Sequence, residues 1–133
     1  MDLKDSIRQD LIKSRGHFEY SYNKVIKFNL EDDFTEEELE TLESFSSRFA
    51  RFSDILIAKY FRFLAREADP AFKGSLIDLL NLAEKNSWIE SATTWRRIRE
   101  LRNVAAHEYS SSDYRRLYSE LVSLAPTLLA VNI

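Results

Sequence analysis

Between Thr35 and Asp69 the chain has neither glycine nor proline. Its apolar residues Leu39, Leu42, Phe49, Phe52, Leu56 and Phe63 return at three- and four-residue steps, or at multiples of them. A strand would alternate every second residue, so this stripe commits the segment to a helix. Thr35 followed by Glu38 has capping-box spacing and predicts the start. Pro70 disfavours helix at Asp69 and predicts the end. The helix would hold about 30 residues and span about 45 Å at 1.5 Å per residue. A rod of that length must be the mast of whatever else the chain builds.

The remaining segments repeat the same period. Only two glycines and two prolines occur in 133 residues, which argues for long elements and few tight turns. Ile7, Leu11, Phe18, Tyr22 and Val25 predict one helix, or two stacked ones with Gly16 as the weak point. "FNLEDDF" breaks that pattern. "GSLIDLLNLAEKN" reads as a third helix, with Ser75 as its cap. "SATTWRRIRELRNVAAHEY" carries a fourth, with Trp95, Ile98, Leu101 and Ala105 facing inward. "SSSD" offers caps for a fifth, which holds Leu117, Leu121, Val122 and Leu128. Pro126 should kink that helix or end it early. The expectation is an all-α fold: a single domain over 1–133, an up-down bundle of about five helices with a long second helix.

Charge narrows the function classes. The net charge of −3 excludes a strongly basic nucleic-acid binder, though a local basic patch remains open. The absence of cysteine excludes disulfides, a thiolate nucleophile and a cysteine-based zinc site. The N-terminus is charged from its second residue, and no apolar run nears 18 residues. Neither a signal peptide nor a membrane span is therefore expected, and the cytoplasm is the default location. Glu31, Asp32, Asp33, Glu36, Glu37, Glu38, Glu40 and Glu43 form a run without a base. It reads as a solvated helix start whose acids complement the dipole, or as a docking surface for a basic partner. Arg96, Arg97, Arg99 and Arg102 form the opposite cluster, offset only by Glu100. It reads as a solvated face or as a phosphate-binding stripe.

The stretch "RNVAAHEY" holds Arg102, then His107 five residues on, then Tyr109. In a chain of this composition such spacing around a histidine arises by chance about 1% of the time, rare enough to make the three a candidate site. Arginine stays protonated and recognises phosphate with paired donors. Histidine exchanges protons near neutral pH. Without a credible metal set, their natural joint chemistry is RNA cleavage, with Arg102 stabilising charge on the phosphorane and His107 moving protons. On a regular helix Arg102 and Tyr109 share a face, whereas Arg102 and His107 stand about 140° apart. Either the helix ends between Arg102 and His107, or a second chain completes the site. A two-fold dimer would bring two His107 and two Arg102 to one cleft.

"RNVAAHEY" resembles the signature of HEPN domains: an arginine and, several residues later, a histidine, near the end of a small all-helical domain. The following tyrosine resembles the HepT toxin branch, with its pattern of Arg, four residues, His, one residue, Tyr. The resemblance follows the helix order of essentially the whole chain, but its specific content is residues 102–109. It implies a metal-independent endoribonuclease acting as a homodimer, with the active cleft between protomers and no cofactor. Arg102 and His107 take the catalytic positions of that pattern. It further implies a partner, a minimal nucleotidyltransferase (MNT) antitoxin that transfers AMP from ATP onto the motif's tyrosine, here Tyr109. An adenylyl group on the face of Arg102 would put a negative phosphate where RNA phosphate belongs. RNA targets in the family include tRNA. Arg96, Arg97 and Arg99 are weaker candidates for RNA binding. Two other readings stay open: a non-catalytic substrate-binding partner of a nucleotidyltransferase, and a structural dimerisation bundle. An adaptor needs neither Arg102 nor His107.

Overall fold

The computed structural model describes residues 2–107 and 114–133; at 104–107 it describes the backbone alone. Among the described residues there are five helical rods and no strand. Helix α1 is Leu3–Val25. The second rod, α2, is continuous over 36–68 and has three parts: α-helical Glu36–Asp54, π-helical Ile55–Phe61 and α-helical Arg62–Ala68. Helices α3 (Leu76–Lys85), α4 (Ala92–His107) and α5 (Tyr114–Leu129) follow. The all-α bundle with a long second helix is as expected.

The helix ends obey local chemistry. Asp2 caps α1 by accepting from the Asp5 N–H at 2.8 Å. Gly16 does not split α1. Thr35 accepts from the Glu38 N–H while Glu38 accepts from the Thr35 N–H, a complete capping box. Ser75 and Asp78 form a second one. Asp69, ahead of Pro70, leaves the helix with φ −145° and ψ 99°. The start of α4 is held by Ser91, which accepts from Thr94, and by Glu84, which accepts from Ala92. Pro126 does not end its helix early. Helix α5 runs through it and stops only at Leu129, where the Ala130 N–H reaches the Pro126 carbonyl at 3.0 Å. The proline has no N–H to give to the ladder, yet the helix continues for three residues beyond it. The "SSSD" caps expected for α5 lie outside the described residues.

Rod α2 is the mast. Its Phe45, Phe49 and Phe52 pack around Phe18 of α1, with ring centroids 5.5, 5.8 and 5.7 Å from it. On another flank it meets α4, and α5 closes the bundle against α1, α2 and α4. The π-helical turn was not foreseen. Through it the buried residues are Leu56, Ile57, Tyr60 and Phe61, followed by Ala65. Phe61 is fully buried, 5.3 Å from the Trp95 ring and 6.2 Å from that of Trp88. Phe63, expected on the stripe, is only partly buried. Deleting a ring buried like that of Phe61 costs about 3–5 kcal/mol.

Candidate functional site

Two contacts set the register of α4 on α2. Trp95 packs on Phe61, and seven residues later Arg102 reaches Asp54, seven residues earlier on α2. The helices are thus antiparallel, and the arginines of α4 pass along the α2 flank. Trp95, Ile98 and Leu101 are buried as expected. Ala105 falls among residues described by backbone alone.

Asp54 is the centre of this flank. Arg102 approaches it side-on: Nε donates to Oδ1 at 3.1 Å and to Oδ2 at 3.0 Å, and Nη2 lies 2.8 Å from Oδ2. Arg99 donates from Nη1 to Oδ1 at 3.0 Å. One carboxylate is shared by two guanidinium groups. All three side chains stay accessible, at 31% for Asp54, 31% for Arg102 and 38% for Arg99. The opposite flank of α4 is different. Arg97 donates Nε and Nη2 to Glu120 of α5 at 2.6 and 2.7 Å, and Nη1 to Glu100 at 3.1 Å. These hydrogen bonds raise the affinity of Arg97 for its proton, and the bond from Arg97 holds the Glu120 carboxyl below its ordinary value. Arg96 is exposed and has no ion pair among the described residues.

The expected site residues are thus divided. Arg99 and Arg102 are brought together on Asp54, and Arg97 is turned away toward α5. The helical backbone is unbroken from Arg102 to His107, so the helix does not end between them. Five residues of regular helix put the two positions on different faces. The His107 side chain and the whole of Tyr109 lie outside the described residues. Asp54 was missed from the sequence, yet a signal existed: it is the only acid between Glu43 and Glu67, in a stretch whose other charged residues are all basic. A lone acid within such a stretch of helix calls for a cationic partner from another element.

Other features lie apart from this centre. A cleft of about 670 Å³ opens at the start of α4 and the end of α5, lined by Trp88, Trp95, Ser91 and Thr127 among others. Arg102 and Asp54 are not among its lining residues. Part of the acidic run is tied to α5 at the surface, because Arg115 pairs with Asp33 and donates to the Glu31 carbonyl. Phe34 sits beside the Tyr114 and Tyr118 rings at 5.9 and 6.4 Å. Among the described residues no three His, Cys, Asp or Glu side chains gather as a metal set, and no helix is long and apolar enough to cross a membrane.

Comparison with known families agrees with the motif. The family model described as "Ribonuclease HepT-like" matches residues 82–131, from the end of α3 through α4 and α5. Over that segment the chain is similar to the HepT-like family, in agreement with the resemblance carried by residues 102–109. No curated protein and no solved structure matches the chain.

Proposed function

We propose that this protein is the toxin of a HEPN/MNT toxin–antitoxin pair, a metal-independent endoribonuclease whose cleft forms between two copies of the chain. The observation that carries this reading is Arg102, about one-third exposed and fixed by Asp54, on the helix that also bears His107 within the HepT-like segment. Because the two positions lie on different faces of one unbroken helix, the cleft draws Arg102 and His107 together from both copies.

The chemistry is transesterification. A base, one His107, takes the proton of a ribose 2′-hydroxyl. The 2′-oxygen forms a bond to the adjacent phosphorus, and Arg102 stabilises the charge that builds on the phosphorane oxygens. The bond from phosphorus to the 5′-oxygen breaks, and an acid, the second His107, protonates that oxygen. The products are a 2′,3′-cyclic phosphate and a 5′-hydroxyl. RNA is the substrate class, with tRNA within its range. A partner nucleotidyltransferase neutralises the enzyme by placing AMP on Tyr109, where the added phosphate competes for Arg102.

The test is incubation of the purified protein with total cellular RNA in EDTA, beside His107→Ala, with mapping of fragment ends. Cyclic phosphate ends made by wild type alone support the reading. No cuts by an unmodified dimer sink it in favour of a non-catalytic adaptor. Tyr109→Phe should retain cleavage and escape AMP transfer; AMP mass on that variant would place the modification elsewhere.

A further inference from the structure

We propose that Asp54 is a positioning residue: it holds Arg102 side-on and draws Arg99 beside it, so that the two guanidinium groups form one phosphodiester-binding site on the α2–α4 seam. The inference rests on the ribonuclease reading for its substrate, but its geometry stands by itself.

Three observations carry it. The first is the edge of Arg102 that Asp54 occupies. A guanidinium has five N–H donors in a planar fork. Asp54 takes the Nε–Nη2 edge, with contacts of 2.8–3.1 Å. The Nη1–Nη2 edge is the other bidentate face, and it is the one suited to a phosphate. Holding the first edge fixes the plane and direction of the second. The second observation is charge. Among the described residues two arginines share one carboxylate, so the cluster they form keeps a net positive charge that a clasp serving stability alone has no reason to keep. The third is access. The three side chains are about one-third exposed, so an anion reaches the outer edges without opening the fold. Arg99 and Arg102 lie three residues apart on one helix and meet the same carboxylate, which suits adjacent oxygens of one phosphodiester.

Asp54 has a double effect on RNA. Its charge opposes a phosphate, while its hydrogen bonds orient the group that receives that phosphate. Asp54→Asn therefore separates binding from chemistry. The experiment uses full-length wild type, Asp54→Asn and Arg99→Ala. Binding is read with a 2′-O-methyl RNA oligonucleotide, which cannot be cut. Single-turnover cleavage is read on total RNA, the Arg102 Nε–H signal in ¹⁵N spectra, and stability by urea midpoint. Asp54→Asn is expected to bind the oligonucleotide as tightly as wild type or tighter, to cleave at least about tenfold more slowly, and to lose the sharp Arg102 Nε–H signal. Arg99→Ala is expected to weaken binding roughly three- to tenfold and to make its salt dependence shallower by about 0.7 in slope, one phosphate contact on a single strand. Unchanged cleavage and an unchanged Nε–H signal in Asp54→Asn overturn the positioning role. Binding and cleavage that fall together with the urea midpoint make Asp54 merely structural. Unchanged binding in Arg99→Ala removes Arg99 from the site. If wild type cuts no RNA, the ribonuclease reading fails alone, and the binding and Nε–H measurements still decide this one.

Discussion

The two flanks of α4 use the same ingredients in opposite proportions. On the α5 side one arginine, Arg97, is held by two acids, Glu120 and Glu100. On the α2 side two arginines, Arg99 and Arg102, share one acid, Asp54. The first arrangement is over-neutralised: its donors are committed on both edges, and its work is to clasp α4 to α5. The second is under-neutralised: it keeps positive charge and an oriented donor edge at a surface. Distance does not separate them, since both contain charge-assisted bonds near 3 Å or shorter. The ratio of acids to bases does, and it predicts that one flank serves stability and the other an anion.

The contrast breaks most sharply at Arg102. Arg102→Ala should lower the cleavage rate by about 10²–10³, the usual cost of losing a donor aimed at developing charge, and affect RNA affinity much less. Rapid-mixing cleavage assays beside anisotropy titrations separate the two, and a loss confined to affinity would make Arg102 a binding residue only. Arg96, exposed on the same helix, tests how far the anion surface extends. Arg96→Ala should weaken RNA binding a few-fold and flatten its salt dependence, and unchanged titration curves would return it to a solvated face. Arg97→Ala should do the reverse, leaving cleavage untouched and lowering stability by about 0.2–1 kcal/mol in urea unfolding, as exposed ion pairs do. A cleavage defect there would erase the distinction between the flanks.

The smallest effect is in pH. The Glu120 carboxyl is held below its unfolded value by the hydrogen bond from Arg97. Its contribution to stability is therefore fully present above that unfolded value, about 4.3, and is lost as pH falls through the lower folded value. Urea midpoints of wild type and Glu120→Gln should differ by a constant amount from pH 7 to 5 and converge below about pH 4. A difference that closes between pH 7 and 5 would mean another group carries it.

Features that depend on neighbours in the chain were legible beforehand. The capping boxes at Thr35 and Ser75 are contacts between residues three apart, so spacing reveals them. The stop before Pro70 is steric and local. The Arg–His–Tyr spacing pointed to the same segment that the family comparison matches. Pro126 does not end its helix early: the residues after it still form helical bonds, as the Ala130 N–H to the Pro126 carbonyl shows. The π-helical turn at Ile55–Phe61 was invisible because no glycine, proline or break in the apolar pattern marks it, and the contacts of Phe61 with Trp88 and Trp95 join residues far apart in the chain.

The sequence by itself determined that this chain is helical, where most rods begin and end, and that an arginine and a histidine stand five residues apart near the end of the fourth helix. Those are consequences of periodicity, capping and sterics within a few residues. Tertiary structure alone decided which arginine meets which acid. Asp54 and Arg102 are 48 positions apart, and they meet only because α4 packs antiparallel on α2 in the register set by Phe61 and Trp95. Four arginines within seven residues look alike in a sequence. The packing of α4 between α2 and α5 gives Arg97 two acids and leaves Asp54 to be shared by Arg99 and Arg102.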